Sequence, residues 1–373
     1  MNLTLCLTHA CNLACSYCYA GTPRAEAMTQ STAEQAIRFA FPLTKGDLQL
    51  GFFGGEPLLE WPLLQHATKT ARREAGDRKL VLTVTTNGTQ LTAERAQWLA
   101  DNGFFMGISI DGNRAMHDCT RRSGNGTSSF DAAIRGLDAV RAVTNHLEVI
   151  TVLDPGNVQH TAEAVRFLAD EKGVQRISLN PNFYTEWDEA AQQKLSEAYA
   201  AVGEYMIERY RVGMPVAINV LDSKIITAVK EGYSCSDRCN FGSEEIAVAA
   251  SGRIYPCERL VGEDQNDAMC IGNVSDGFDE KKRLAILLKR GNHDADCLTC
   301  GLRTRCMNWC GCINYATTGA INSVAGVVCF HEQLAMRVAD RVAAELFSER
   351  NPHFLTRFYR EDAFLAQPPI QGE

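Results

Sequence analysis

The stretch THACNLACSYCYAG (residues 8–21) carries three cysteines, Cys11, Cys15 and Cys18, in the spacing C-x3-C-x2-C. Iron–sulfur clusters normally take four thiolates, so three from one short loop, with no local fourth, leave one iron open to another ligand. The alternatives are ordinary buried thiols or half of a zinc site. Zinc sites favour paired C-x2-C units completed by Cys or His, and His9 makes no such pair. The spacing therefore favours a cluster with an open iron.

This loop, with Tyr17 just before its third cysteine, resembles that of the radical S-adenosylmethionine (radical SAM) enzymes. In that family the amino and carboxylate groups of S-adenosylmethionine chelate the open iron of a 4Fe-4S cluster. Reductive cleavage then gives a 5′-deoxyadenosyl radical, which abstracts hydrogen from the substrate. The resemblance implies that Tyr17 lies by the cofactor and that a flavodoxin- or ferredoxin-type protein donates the electron. The protein holds the cofactor and the target atom in the correct relative position and excludes water from the radical.

Composition excludes several classes of protein. The chain has 373 residues, 45% of them hydrophobic, which suffices for a large core and more than one domain. It has fifteen cysteines but starts on the strand-like LTLCLT (residues 3–8), without a signal-like segment, so we predict a cytoplasmic protein rather than a disulfide framework. The net charge is −8, the basic residues are dispersed and no apolar run could span a bilayer. Neither nucleic acid nor a membrane is expected as a partner.

Residues 1–215 alternate short apolar runs with amphipathic stretches, a pattern typical of β/α units around a parallel sheet. The predicted strands are Leu3–Leu7, Leu48–Phe53, Leu80–Thr85, Phe104–Ile110, Leu147–Leu153 and Arg176–Asn180. The predicted helices include Ser31–Phe41, Ala93–Asp101 (with Thr92 as N-cap and Gly103 after its end), Phe130–Ala142 and Thr161–Glu171. Six units are fewer than the eight of a full barrel and match the partial barrel of the radical SAM family. The predicted fold class is therefore α/β, a partial (β/α)6 TIM-type barrel, whose lateral opening would suit a peptide.

The chain changes character after the barrel. We expect a long polar helix at Tyr199–Arg211, a linker at 216–234, a cysteine-rich domain at 235–330, and a helix and tail at 331–373, with an amphipathic helix over His331–Glu349. Ten of the fifteen cysteines fall between Cys235 and Cys329, helix signals fade and turn-forming residues multiply. Because the apolar content of this region is patchy, we predict that metal holds it together.

The motif Gly54-Gly55-Glu56-Pro57 stands at the end of the second predicted strand, where barrel enzymes place their active sites. Two glycines allow a ligand to approach the backbone, and Glu56 can pair with an ammonium group. The alternative is a plain turn before a helix, with Pro57 at its first position. Beside the cysteine loop, the motif resembles the GGE motif of the radical SAM family, whose backbone and carboxylate grip the methionyl amino group.

Polar residues also end the next two strands, Asn87 in TVTTNGT and Ser109 in GISIDG. Each residue could instead belong to an ordinary turn. However, polar groups at the ends of successive parallel strands lie along one edge of the sheet, which we call the cofactor rim. By resemblance, Asn87 and Ser109 would lie near the ribose and methionyl groups of the cofactor. The following segment MHDCTRRSG resembles the family's HD-x2-R segment and makes Arg121 the candidate for the cofactor carboxylate, with Arg122 as the competing choice.

The second half carries a further cysteine pattern, with a C-x12-G-x4-C arrangement followed by C-x2-C-x5-C-x3-C and one more cysteine. It resembles the SPASM extension of radical SAM enzymes that modify peptides and proteins. The resemblance implies two auxiliary 4Fe-4S clusters, hence three in all. Their ligands would be Cys297, Cys300, Cys306 and Cys329 for the outer cluster, and Cys235, Cys239, Cys257 and Cys310 for the inner one. Cys312 is an alternative ligand, and a double zinc ribbon is the competing interpretation of the pattern.

Glu258 directly follows the predicted ligand Cys257. In the sulfatase-maturating enzymes that the chain resembles, an aspartate at this place takes a proton from the substrate. Glutamate can act as a general base, although its extra methylene displaces the carboxylate; the alternative is a surface residue that pairs with Arg253 or Arg259. The cysteines left over are Cys6, Cys119 and Cys270, which we interpret as small buried hydrophobes, with Cys119 placed on a loop near the cofactor rim.

Three functions from different classes fit these motifs. The first is a peptide or protein maturase that gives an oxidised or crosslinked (thioether or carbon–carbon) product, with sulfatase maturation as an alternative within the class. The second is a small-molecule dehydrogenase, and the third is a non-catalytic electron carrier, which would not need a cofactor rim. Because the chain begins on its first strand, a separate leader-binding protein, or the catalytic domain itself, would have to recognise a leader peptide.

Overall fold

The computed structural model describes residues 1–290 and 294–359. Its contacts divide the chain into two compact units. The first unit comprises residues 1–110, 121–147 and 240–290, and the second comprises residues 111–120, 148–239 and the described residues after 293. The predicted boundaries at 215, 234 and 330 divide the chain differently and stay a prediction. The predicted C-terminal tail from residue 360 lies outside the described residues.

The strands are β1 (Asn2–Cys6), β2 (Leu48–Phe53), β3 (Leu80–Thr86), β4 (Phe104–Ser109), β5 (Leu147–Leu153), β6 (Arg176–Pro181), β7 (Ala217–Ile218), β8 (Glu245–Val248), β9 (Arg253–Tyr255), β10 (Gly272–Asn273) and β11 (Gly277–Phe278). The helices are α1 (Gln30–Ala40), α2 (Trp61–Ala75), α3 (Ala93–Asp101), α4 (Arg114–Thr120), α5 (Phe130–Arg141), α6 (Thr161–Arg166), α7 (Glu189–Arg211), α8 (Asn219–Val229), α9 (Glu280–Lys289), α10 (Ala295–Thr299), α11 (Gly311–Thr318), α12 (Gly326–Ser348) and α13 (Pro352–Phe358).

The first unit is built on a sheet in the order β11-β10-β9-β8-β1-β2-β3-β4. Strands β8, β1, β2, β3 and β4 run parallel, with Leu3 opposite Leu50 and Leu50 opposite Leu82. Strands β9 to β11 continue the sheet in antiparallel fashion from β8. Leu3, Leu50 and Leu82 are all buried, as expected of parallel strands covered on both faces. The carboxyl ends of β1 to β4 therefore lie along one edge, and the predicted motifs follow them.

The second unit contains the parallel strands β5, β6 and β7 and a helical layer in which α12 packs on α7 and α8. Gly203 of α7 lies against α12, where a Cβ atom would come 2.7 Å from the side chain of Val338. The apolar face predicted for the terminal helix is buried, as shown by Leu334, Val342 and Leu346. The helix begins at Gly326, before the predicted start at residue 331.

The α/β class and all six predicted strands are confirmed, with ends shifted by at most one residue. Thr92 caps α3 by accepting a hydrogen bond from the Arg95 N–H at 3.2 Å, and Gly103 follows with a φ of 70°. The expectation that helix signals fade after residue 234 was wrong for α9, α10 and α11. Helix α9 is stabilised by a local cap, Asp279 accepting from the Lys282 N–H at 3.0 Å, and buries little besides Ile286. None of the described helices has the length and apolar character needed to cross a membrane.

The close packing of α5 on the turn after β3 gives a testable prediction. A Cβ atom on Gly136 would overlap the carbonyl oxygen of Gly88, which is backbone and cannot swing away. We expect Gly136→Ala to lower the unfolding free energy by about 1–3 kcal/mol, because overpacking outweighs the gain in helix propensity. Gly326→Ala, on a helix with no atom within 4 Å of the new methyl, is the matched control. Equal urea midpoints for the two variants would contradict this packing.

Candidate active site at the cysteine loop

The cysteine loop leaves β1 and is held to its neighbours by backbone hydrogen bonds. The His9 N–H donates to the Glu26 carbonyl at 2.8 Å, and the Ala14 N–H donates to the Arg122 carbonyl at 2.8 Å. Within the loop the Cys18 N–H donates to the Cys15 carbonyl at 3.1 Å. The loop is therefore a defined scaffold for its thiols rather than a free connection. Cys11 and Cys15 are half-buried and Cys18 is exposed.

The Cys11 sulfur lies in a polar, partly buried environment. It accepts hydrogen bonds from the Leu13 N–H at 3.4 Å and from Nδ2 of Asn87 at 3.8 Å. Burial raises the pKa of Cys11 to about 11, and the Leu13 N–H opposes that rise. Donors of this kind stabilise a thiolate and tune an iron–sulfur cluster.

The donor set suits a cluster. A 4Fe-4S cluster binds each of its thiolates on a different iron. Three thiols on one anchored loop, with N–H donors beside the first sulfur, fit the iron–sulfur group.

Gly54 and Gly55 lie against the segment that leads into the cysteine loop. The Gly55 N–H donates to the Thr8 carbonyl at 2.8 Å, and the Glu56 N–H donates to the Ala10 carbonyl at 2.8 Å. A Cβ atom on Gly55 would overlap the Ala10 carbonyl oxygen, and one on Gly54, whose φ is 127°, would come 2.5 Å from the Thr8 oxygen. Both glycines are therefore required by this close approach of two backbone segments.

The Glu56 carboxylate is fully buried. Its Oε1 accepts hydrogen bonds from the Leu58 N–H at 3.0 Å and from the Thr86 hydroxyl at 2.7 Å, and its Oε2 accepts from the Asn87 N–H at 2.7 Å. Burial raises the pKa of Glu56, and these three donors oppose the rise. Glu56 thereby joins the ends of β2 and β3, while Pro57 begins the 3₁₀ turn Pro57–Glu60.

Asn87 connects the end of β3 to the cysteine loop. Its Nδ2 donates to Oδ1 of Asn12 at 2.9 Å, and Nδ2 of Asn12 donates to the Thr89 hydroxyl at 2.7 Å. Thr89 completes the ring by donating from its hydroxyl to Oδ1 of Asn87 at 2.7 Å. Asn12 and Thr89 are functional candidates that were not predicted from the sequence. The position of Asn12 between Cys11 and Cys15 was the available signal.

Arg121, rather than Arg122, has its side chain by the cysteine loop. Arg121 is buried, and its Nη1 donates to the Tyr17 hydroxyl at 2.5 Å, with the guanidinium carbon 5.9 Å from the ring centroid. The side chain of Arg122 is exposed and donates to the Gly126 carbonyl at 3.3 Å. The structure therefore brings Tyr17 and Arg121 together.

Ser109 and Asp111, at the end of β4, lie in different environments. Ser109 ends β4 and is half-buried. Asp111 is fully buried and accepts from the Val152 N–H and the Thr120 hydroxyl, both at 2.9 Å. These bonds make Asp111 a structural carboxylate. Cys119 was predicted on a loop, which was wrong: it lies in α4 and its thiol donates to the Ala115 carbonyl one turn earlier, at 3.1 Å.

Glu258 lies beside the glycine motif. It begins the 3₁₀ turn Glu258–Leu260, and its Oε2 accepts from the Cys257 thiol at 3.4 Å. The small pocket that it faces is lined by Cys6, His9, Tyr19, Ala20, Phe53, Gly54, Glu258, Val261 and Gly262. On neighbouring β8, burial and then the Glu258 charge raise the pKa of Glu245 to about 8.

The cysteines predicted to bind the auxiliary clusters fall in both units. Cys257 belongs to the first, and the others belong to the second. Within the second unit, burial raises the pKa of Cys297, and the charges of Asp294, Cys329 and Cys300 add to the rise. The sulfurs of Cys310 and Cys312 are 3.4 Å apart.

The fold of this chain is similar to that of several solved structures. The chain superposes on the structure entitled "Native anSMEcpe with bound AdoMet". The TM-score is 0.79 at 18% sequence identity, over 93% of this chain and 99% of that chain. The structure of SuiB from Streptococcus suis bound to precursor peptide SuiA gives a TM-score of 0.61, also at 18% identity, over 88% of this chain and 75% of that one. These likenesses confirm the α/β partial-barrel fold expected from the motifs.

Sequence relatives give the family. A serine-type anaerobic sulfatase-maturating enzyme of Klebsiella pneumoniae is 25% identical over 330 residues, 81% of this chain and 79% of that protein. The PqqA peptide cyclase of Streptomyces rochei is 31% identical over 265 residues, 67% of each chain. Residues 5–168 match the radical SAM superfamily. The protein is thus an enzyme of the radical SAM superfamily, whose members use S-adenosylmethionine with a 4Fe-4S cluster.

Proposed function

We propose that this protein is a SPASM-type maturase that oxidises or crosslinks a peptide or protein substrate. The observation that carries the proposal is the position of Glu258, a carboxylate that follows a predicted cluster ligand and lines the same pocket as Gly54 of the glycine motif. A general base beside the cofactor motif is what oxidation of a side chain requires, because a proton leaves together with the second electron.

Each part of the site has a proposed role. The bound cluster and S-adenosylmethionine supply a 5′-deoxyadenosyl radical for hydrogen abstraction. Cys11, Cys15 and Cys18 hold the cluster, and the backbone of the glycine motif, whose placement depends on Glu56, binds the methionyl amino group. Asn87 and Ser109 face the ribose and methionyl groups, as the resemblance implies. Tyr17 orients Arg121 toward the cofactor carboxylate through the 2.5 Å hydrogen bond.

The substrate class is inferred from the relatives. Those named above are called a sulfatase-maturating enzyme and a peptide cyclase, and SuiB is titled as bound to a precursor peptide. We propose two auxiliary clusters held by the eight cysteines of the SPASM pattern, which would supply an acceptor for the electron of the substrate radical. A flavodoxin- or ferredoxin-type donor, a separate leader-binding protein and a cytoplasmic location belong to the same proposal.

Sulfatase maturation is the second candidate. The relatives named for it match about four fifths of the chain, and Glu258 occupies the place where the resemblance puts a catalytic aspartate. This activity would convert a substrate serine or cysteine to an aldehyde, which a hydrazide probe would label. A crosslinking maturase would leave no aldehyde, so one labelling experiment separates the two. Turnover of a small alcohol or sugar, with no change in any peptide, would instead support a dehydrogenase.

Cluster content is the first test of this proposal. Three 4Fe-4S clusters require about twelve iron atoms per chain after anaerobic reconstitution. Replacing Cys11, Cys15 and Cys18 together by Ala should remove roughly a third of the iron and abolish formation of 5′-deoxyadenosine. Cys119→Ala is the matched control and should retain all the iron, since this cysteine lies in α4 outside the ligand patterns. Zinc as the main metal would contradict the assignment.

Glu56 gives the second test. Glu56→Ala leaves the N–H groups of Leu58 and Asn87 buried without their acceptor, and each such loss costs about 1–3 kcal/mol. We expect the displaced rim to bind S-adenosylmethionine roughly tenfold more weakly, which corresponds to about 1.4 kcal/mol, as measured by equilibrium dialysis. Thr86→Val removes one hydroxyl donor only and should have a smaller effect. Unchanged affinity in Glu56→Ala would show that the carboxylate does not position the rim.

Glu258 gives the third test. Glu258→Gln should lower the rate of product formation by about 10²–10⁴-fold, the usual contribution of a general base, while 5′-deoxyadenosine is still formed. The measurement is mass spectrometry of the peptide encoded nearest to the gene, co-expressed with the enzyme, together with chromatography of the nucleoside. Glu280→Gln, on the exposed start of α9, is the control. Wild-type product yield from Glu258→Gln would remove Glu258 from the reaction.

A further inference from the structure

A buried ion pair in the second unit has no role in the site described above. Lys224 of α8 and Glu332 of α12 lie 2.8 Å apart, with side chains only 2% and 4% exposed. Taking two charges out of water costs about as much as their attraction returns, and such a pair is often no better for stability than apolar residues. The effect of the pair is therefore to be sought in the groups that the two charges hold in place.

Both charges bind the backbone on either side of Cys306. Nζ of Lys224 donates to the Arg305 carbonyl at 3.3 Å, and the Met307 N–H donates to Oε2 of Glu332 at 2.7 Å. Arg305 returns a hydrogen bond from Nη2 to the Lys224 carbonyl at 3.0 Å. The peptide groups before and after Cys306 are therefore both fixed to one ion pair.

The same pair is tied to two further parts of the unit. Nζ of Lys224 donates to the Tyr233 hydroxyl at 3.2 Å, and the Tyr233 N–H donates to the Thr304 carbonyl at 2.8 Å. Glu332 lies three residues after Cys329 on α12, a spacing that places both on one side of the helix. The pair thus connects α8 with the segment of Cys306 and with the helix that carries Cys329.

We infer that the Lys224–Glu332 ion pair is the positioning element of the outer auxiliary cluster. It holds Cys306 on the side of α12 that carries Cys329, so that both thiols are in place before the cluster assembles. The inference rests on the proposed function, since it assumes that Cys306 and Cys329 are cluster ligands. Lys224 and Glu332 hold the backbone on either side of Cys306, and Glu332 also lies within hydrogen-bonding reach of the Cys306 thiol.

The test compares iron content and the electron paramagnetic resonance spectrum of the reduced, reconstituted protein. The double variant Lys224→Met/Glu332→Leu removes the pair without leaving one charge buried alone. It should lose about a third of the iron, the share of one cluster, with the spectral component that Cys306→Ala also loses.

The control is a second, more exposed ion pair that also involves α8, the helix of Lys224. Arg357 binds Asp222 of α8 at 2.8 Å, with side chains 28% and 6% exposed. Asp222→Asn/Arg357→Gln should keep all three clusters, and circular dichroism should show every variant folded.

Each result decides the inference. Suppose that Cys306→Ala loses a cluster but the double variant keeps all its iron and a wild-type spectrum. This result would overturn the inference and leave the proposed function standing. Equal iron loss in the double variant and the control pair would overturn it too, because the effect would then be general destabilisation. Iron for one cluster only in the wild-type protein would overturn both.

Discussion

The carboxylate of Glu56 is the interaction on which the site depends. It is fully buried and accepts three hydrogen bonds, two of them from backbone N–H groups of different segments. Hydrogen bonds to a charged acceptor in a dry environment are strong, and losing the acceptor would strand the donors. The end of β2, the end of β3 and, through Asn87, the cysteine loop therefore behave as one rigid piece.

Rigidity at this place has a chemical purpose. An enzyme that generates a carbon radical must hold cofactor and target in register, because a loosely held radical reacts with whatever is nearest. The close approach of Gly54 and Gly55 to the segment before the cysteine loop serves the same end. Glu258, from a later part of the chain, reaches the same pocket, so the proposed base and the cofactor motif share one framework.

The cysteine-rich segment of the second unit is organised by different forces. Its helices are short and its apolar residues sparse, so backbone groups are held by side-chain charges instead, as at Arg305 and Met307. A polar framework of this kind specifies a geometry more strictly than apolar packing, because each donor has one acceptor that fits. That is the property a set of cluster ligands needs.

The sequence by itself determined the features that depend on neighbouring residues. The spacing of Cys11, Cys15 and Cys18, the alternation of strands and helices, and the cap at Thr92 are local patterns, and they sufficed for the α/β class and the family. The partners of Glu56 and the pairing of Lys224 with Glu332 were decided only by the tertiary structure. These contacts join residues about 30 and 108 positions apart, and burial, which sets their energies, is a property of the folded chain alone.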